Sequence, residues 1–293
     1  MIKYILNDQI VDQDKAKVHV SDLALLRAYG IFDFFRLVDL QPLFIEDHLN
    51  RFFNSADILR LICPVGRKRM RALILELISI NRIRNSGIRI VLTGGESPNG
   101  YSIGNPTLII INEPINPLPE SHFSAGVKLI SHEYQRDIPE AKTINYVMGI
   151  YKMPQIKESG SLDLLYHWNG KISELTRSNF FIVDKDDKIV TPGNGVLKGV
   201  NRKHVLKISR KKFEVEERDL FMQELAFAKE AFITGTTKKV MPVYQIDELV
   251  IGNGKPGPVT QELQKMFEKY VDRYFETNKI SKDTEPSHPG EGV

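Results

Sequence analysis

A single cysteine, Cys63, stands among the 293 residues. A lone thiol cannot close an internal disulfide, so nothing points to a fold stapled for an oxidising compartment. An excess of one charge is missing too. Forty Lys and Arg against 37 Asp and Glu leave +3, too little to mark nucleic acid or an anionic membrane as the main partner. No apolar run reaches the roughly 18 residues of a membrane helix. The longest, such as Thr107-Leu108-Ile109-Ile110-Ile111, have strand length. The opening segment from Met1 to Ile10 alternates and carries Lys3 and Asp8, unlike the apolar stretch of a signal peptide. A cytoplasmic protein with no nucleic-acid or membrane partner is the expectation.

Several catalytic chemistries also lack their motifs. The seven histidines show neither H-E-x-x-H nor a paired spacing, so no metal site is expected. No G-x-S-x-G elbow presents a serine nucleophile. Gly252-Asn253-Gly254-Lys255-Pro256-Gly257 does match G-x-G-x-x-G. Yet no second strand with an acidic end follows about 20 residues on. Pro256 and Pro258 also remove backbone donors that a pyrophosphate would use. The segment reads as a surface turn.

What is present is ordinary globular material, 42% apolar and 26% charged, in a chain long enough for about two domains. The patterning is mixed α/β. Gln41-Pro42-Leu43-Phe44 reads as a turn entering a short strand. Asp47 would cap a helix carrying Leu49, Phe52, Phe53, Ala56, Leu59 and Cys63 near the 3.6 period, stopped by Pro64. A second helix is predicted over 67–80, with strands over 88–93 and 107–112. Prolines 114, 117 and 119 favour an extended connector. Beyond it the pattern predicts a strand at 127–131, a helix at 143–157, and strands at 163–168, 179–183 and 188–190. A helix at 200–209 and strands at 213–217, 231–234 and 240–246 follow. A closing helix bears Leu263, Met266, Phe267, Tyr270, Val271, Tyr274 and Phe275 on one face. The expected division is a small domain over 1–118, a connector over 119–126 and a large domain over 127–280. The polar tail 281–293 is expected to be disordered.

Separated segments then converge. They are His48-Leu49-Asn50-Arg51-Phe52; Lys142-Thr143-Ile144-Asn145-Tyr146; Glu174-Leu175-Thr176-Arg177-Ser178-Asn179-Phe180 leading to Thr191-Pro192; Leu197-Lys198-Gly199-Val200-Asn201-Arg202; and Phe232-Ile233-Thr234-Gly235-Thr236-Thr237 with Pro242-Val243. In order and spacing over about residues 20 to 270, this set resembles the class IV, or fold-type IV, pyridoxal-phosphate aminotransferases, which include D-amino acid and branched-chain enzymes. The resemblance implies a two-domain α/β (α+β) fold, with a small N-terminal α/β sandwich and a larger C-terminal pseudo-barrel. It further implies pyridoxal 5'-phosphate as cofactor, and a homodimer whose sites lie at the interface.

The chemistry explains these residue types. Pyridoxal phosphate needs one amine to hold it as a Schiff base and shuttle a proton. The resemblance makes that amine Lys142, placed where a strand gives way to a helix. Desolvation among Ile144, Tyr146 and Val147 would favour its neutral form. The ring is an electron sink while its nitrogen stays protonated, which a carboxylate within hydrogen-bond reach secures. Glu174 matches that role, and the Asn169-Gly170 hairpin signal would aim its segment inward. For the phosphate the resemblance implies Arg51, the helix start at Val200 and Asn201, and Thr236. Tyr146 completes the cofactor set.

On the substrate side, Phe32-Asp33-Phe34-Phe35-Arg36 departs from the Phe-Glu-Gly-Ile-Arg of branched-chain enzymes, so Phe34 should narrow that pocket. Ser97-Pro98-Asn99-Gly100-Tyr101 lacks the Arg and His with which D-amino acid enzymes grip a carboxylate. A guanidinium is the natural replacement. Arg27, Arg89 and Arg177 stand at positions that the resemblance places around the substrate, with Phe32 and Thr237. For each arginine the alternative is a surface ion pair with an acid such as Asp22 or Asp33. A clamp of Arg27 and Arg177 favours a D-amino acid:2-oxoglutarate aminotransferase working by ping-pong. A branched-chain L-amino acid enzyme is the alternative. Aminodeoxychorismate lyase or a non-catalytic binding protein follow further behind.

Overall fold

The structure, a computed structural model, describes residues 2–278, so the tail expected to be disordered, 281–293, lies outside the described residues. Period-two alternation builds its first sheet. Along β3 (Gly30–Val38), Ile31, Asp33, Phe35 and Leu37 are buried while Phe32, Phe34, Arg36 and Val38 are half-buried. β3 pairs antiparallel with β4 (Gln41–Pro42) and β5 (Ser86–Thr93). β6 (Leu108–Pro114), β1 (Lys3–Leu6) and β2 (Gln9–Asp12) complete the order β2-β1-β6-β5-β3-β4. The inward face packs Phe35, Leu37, Ile88 and Ile90 against Leu49 and Phe52 of α2 (Ile45–Ile58) and against Met70, Leu73, Ile74 and Leu77 of α3 (Arg67–Asn81). A short α1 (Leu23–Arg27) is capped by Asp22, whose carboxylate accepts from Ala24 N at 2.8 Å.

After the proline-rich stretch comes one short turn, α4 (Ser121–Ser124). The second sheet then begins with β7 (Val127–Glu133). It continues through β8 (Asp163–Trp168), β9 (Lys171–Leu175), β10 (Asn179–Val183), β11 (Ile189–Pro192), β12 (Val215–Arg218), β13 (Leu220–Phe221), β14 (Glu230–Gly235), β15 (Lys239–Ile246) and β16 (Leu249–Val250). The spatial order runs β10-β14-β15-β7-β8-β9, and Asn179 of β10 pairs back onto Glu174 of β9. That pairing closes the path on itself, the pseudo-barrel of fold type IV. α7 (Val200–Ser209) and α8 (Pro258–Thr277) cover it, with Leu263 and Phe267 buried beside Phe181 and Phe232. Among the described residues no helix is long and apolar enough to cross a membrane.

Several local expectations are corrected. The helix expected over 143–157 starts only at Val147, and it is broken into α5 (Val147–Tyr151) and α6 (Met153–Glu158). Residues 142–144 instead run against β3. Phe32 N donates to Lys142 O at 2.9 Å and Ile144 N donates to Gly30 O at 3.1 Å. Pro154 has no N–H to continue α5. Lys142 therefore lies in irregular chain between β7 and α5, not at a strand-to-helix switch. α2 begins two residues before Asp47, after Phe44 in a left-handed conformation (φ 55°). It ends at Ile58, short of Cys63, because Arg60 turns left-handed (φ 55°) and Leu61 N bonds back to Ala56 O.

Candidate active site

Lys142 is pinned from two sides. Its backbone N–H donates to Ser55 Oγ at 3.1 Å, and Ser55 in turn donates to Arg51 O at 2.9 Å on α2, while β3 takes the other edge of the segment. The amine lies 4.4 Å from the Phe32 ring centre and 3.5 Å from the Tyr146 hydroxyl. Burial, with Arg51 and Arg136 adding repulsion against Asp33 and Glu174, brings its pKa down to about 7. Val147, expected to help desolvate it, is 65% exposed. Phe32 takes that place. With a pKa of about 7, about half the amine is neutral at pH 7, against about three in ten thousand for an ordinary lysine. Uptake of pyridoxal phosphate by the apoprotein should therefore accelerate as pH rises through 7 and level off above it. Stopped-flow absorbance checks this, and acceleration that continues to pH 10 would contradict it.

Glu174 reaches the same space from β9. Asn169 and Gly170, both at positive φ (48° and 75°), make the tight turn that folds β9 onto β8. Glu174 Oε1 accepts from Arg136 Nη1 at 2.8 Å and Oε2 accepts from Leu197 N at 3.1 Å. Burial raises its pKa, against the pull of Arg136. Arg136, which no sequence motif marked, also donates to Pro139 O and Ala141 O at 3.1 and 2.6 Å. One guanidinium thus orients the carboxylate and braces the loop that ends at Lys142.

Beside these groups is a small cavity of about 50 Å³ walled by Arg51, Gly199, Val200, Asn201, Thr234 and Thr236 among others. No side chain caps the start of α7, which leaves its first amides and positive dipole end open to an anion. Asn201 Nδ2 donates to Gly235 O at 2.8 Å, tying that helix start to the 235–237 turn. Gly199 is required, because a Cβ would come within 2.1 Å of Asn179 Oδ1. The Thr234 hydroxyl and Arg202 Nε, on the same wall, are buried with no protein partner. A cation, free amides and orphaned polar atoms suit a phosphate, and the amine and carboxylate suit the rest of the cofactor.

Arg51 is held by a residue whose role sequence reading missed. Asp33, fully buried, accepts from Arg51 Nε and Nη2, both at 2.8 Å, and lies 2.7 Å from His48 Nδ1. Burial alone would raise the Asp33 pKa, but Arg51 and His48 hold it well below the carboxylate range. Asp33→Ala would strand Arg51 and His48, at a cost of about 3–5 kcal/mol. Urea unfolding of the apoprotein checks this, and a loss below about 1 kcal/mol, the value of an exposed pair, would contradict it.

A larger cavity, about 560 Å³, adjoins the small one at Lys142, Tyr146, Arg177 and Thr236. Phe32, Phe34, Arg89 and Thr237 line it. The Phe34 ring lies over Gly87, where a Cβ would come within 2.3 Å. Arg89 pairs with Glu113 at 2.5 Å and sits 5.6 and 5.1 Å from the Phe32 and Phe34 ring centres. Asp22 and Asp33, the acids considered for the arginines, are engaged elsewhere. Arg177 is exposed at the junction and forms no hydrogen bond or ion pair among the described residues. Arg27 is exposed on α1, donates to Leu26 O at 2.7 Å, and lines neither cavity. A single chain therefore does not bring Arg27 and Arg177 together. Among the described residues no cluster of His, Cys, Asp and Glu could hold a metal ion.

The closed sheet and this site define a pyridoxal-phosphate enzyme of fold type IV. The amino-transferase class IV family matches residues 30–246, and the chain belongs to it. A Methanocaldococcus jannaschii protein, assigned but not established as a branched-chain-amino-acid aminotransferase, is 32% identical over 91% of this chain and 95% of its own. The D-alanine aminotransferase of Staphylococcus haemolyticus is 27% identical over 93% and 99%. The branched-chain amino acid aminotransferase of Escherichia coli superposes with a TM-score of 0.85 at 25% identity, covering 92% and 94% of the two chains. The protein is a pyridoxal 5'-phosphate-dependent aminotransferase of an amino acid and a 2-oxo acid.

Proposed function

We propose that the protein transfers the amino group of a D-amino acid to 2-oxoglutarate by a ping-pong mechanism, as a homodimer. One observation carries this reading. Arg177, an unpaired guanidinium, stands where the cofactor and substrate cavities meet, the placement a substrate carboxylate needs. Arg27 of a second copy would complete the clamp. Exposed Leu25, Val147, Ile150 and Tyr151, apolar side chains on α1 and α5, support a partner surface.

When bound, pyridoxal phosphate supplies an aldehyde that takes an amine and a cationic ring that withdraws electrons. The chain's own residues do the rest. Arg51, the α7 amides and Thr236 would anchor the phosphate. Glu174, steadied by Arg136, would accept a hydrogen bond from the protonated ring nitrogen. Lys142 Nζ, at the cavity junction, would hold the cofactor's aldehyde and would take up and return the substrate's α-proton. Phe32 and Tyr146 keep bulk water from that nitrogen.

A second reading, a branched-chain L-amino acid enzyme, is favoured by the apolar lining of the larger cavity, with Val91, Ile115, Leu118, Ile144 and Leu162. D-Alanine, D-glutamate, L-leucine and aminodeoxychorismate, assayed side by side, separate the possibilities. Turnover of the D-amino acids is expected, and turnover of L-leucine alone would reject the clamp. Arg177→Leu should raise KM for the D-amino acid by the equivalent of about 1.5–3 kcal/mol, the scale of a hydrogen bond to a charged group. Steady-state kinetics check this, and an unchanged KM would contradict it.

A further inference from the structure

Cofactor phosphate recognition, on the reading above, is split between two helices. Arg51 extends from α2, and the free amides lie at the start of α7. One turn from each stands a residue that meets its counterpart. Asp47 is four positions before Arg51, and His204 is four positions after Val200. His204 Nε2 lies 2.8 Å from Asp47 Oδ2, and its Nδ1 lies 3.0 Å from the Tyr270 hydroxyl of α8. The same ring stacks on Phe44, the residue that opens α2, with centres 3.8 Å apart. Tyr270 and Tyr274 pack around Phe44 from α8. Lys203 Nζ takes the other Asp47 oxygen at 2.5 Å.

We infer that the Asp47–His204 bridge is a clasp that fixes the spacing of the two halves of the phosphate cradle, and so sets how tightly the cofactor is retained. The two residues are 157 positions apart in sequence, so the contact is tertiary and serves neither helix alone. It joins the first turn of α2 to the second turn of α7, one turn from the groups that must face one anion together. Preset spacing matters there because a guanidinium and helix amides bind a dianion jointly only when neither has to move. Asp47 and His204 touch the supports of the cradle and not the cofactor, so they are positioning residues.

The inference rests on the assignment of this cavity to the phosphate, and the test separates the two. Pyridoxal phosphate and pyridoxal, which lacks the phosphate, are titrated against apoprotein of wild type, Asp47→Ala, His204→Phe and Asp47→Asn. His204→Phe keeps the stacking on Phe44. Asp47→Ala and His204→Phe should each raise Kd for pyridoxal phosphate about tenfold, with Kd for pyridoxal unmoved. Asp47→Asn, which keeps an acceptor, should recover most of the affinity. The gap in Tm between holo- and apoprotein should shrink in the first two variants. Unchanged pyridoxal phosphate affinity in both, or an equal loss for pyridoxal, overturns the clasp. A wild type that does not prefer the phosphorylated form removes the cradle assignment and the clasp with it. Should His204→Phe fail to fold, the more exposed Asp47 carries the same comparison.

Discussion

Replacing Lys142 by alanine should lower turnover by about 10⁴-fold or more, on the scale seen when a catalytic nucleophile or base is removed. The expected size follows from what the amine does. It is the group at the junction of the two cavities whose surroundings bring an ordinary lysine down to about pKa 7, and among the described residues it is the one lysine that lines both cavities. Lys238, which also borders the larger cavity, is bound to Asp163 and Ser178, each at 2.9 Å. It sits in a buried pair that fixes its position. Lys142→Ala should bind pyridoxal phosphate, since Arg51 and the α7 amides remain. Adding methylamine to the assay should restore part of the rate, because a small amine can enter the space vacated. Turnover within about tenfold of wild type would place the proton transfer elsewhere.

Glu174→Gln should lower kcat by about 10²–10³-fold, the scale of one buried charge-directed interaction in an active site. The variant keeps the shape of the side chain, but its one amide oxygen can accept from only one of Arg136 Nη1 and Leu197 N. It loses the negative charge that, on the proposed reading, would face the cofactor ring. A cationic ring nitrogen would then meet Arg136 with no carboxylate between them. The effect should fall on kcat, with cofactor affinity changed little, because the phosphate groups are elsewhere. Glu174→Asp, which keeps the charge at a shorter reach, should lie between. Kinetics at saturating cofactor check this, and a kcat for Glu174→Gln within a factor of about two of wild type would contradict the role, since one such interaction is worth far more.

The parts of this account legible in the sequence are those fixed by near neighbours. The face of α3, the strands at 88–93 and 179–183, the start of α7 at Gly199 and the Asn169-Gly170 turn each depend on a few adjacent residues. Of the motif segments, Arg51, Lys142, Glu174, Asn201 and Thr236 line one small cavity. What escaped depends on distant partners. The backbone of Lys142–Ile144 has a helical apolar pattern but pairs with β3, more than a hundred residues earlier. Asp33 could not be matched to Arg51 and His48, 18 and 15 positions away, from residue type alone. Arg136 reads as one more charged loop residue until Glu174, 38 positions on, meets it. Asp47 looked like a helix cap, and its partner His204 lies in the other half of the chain. The Arg27–Arg177 clamp spans two copies, so neither the sequence nor one chain displays it.

The central claim is that one amine, that of Lys142, holds the cofactor. Borohydride reduction of the holoprotein, followed by proteolysis and mass mapping, tests it most directly. The account predicts the reduced pyridoxyl phosphate on the peptide bearing Lys142 and on no other. Attachment at Lys238, Lys198 or a surface lysine, or no attachment to a protein that still transaminates, would contradict it.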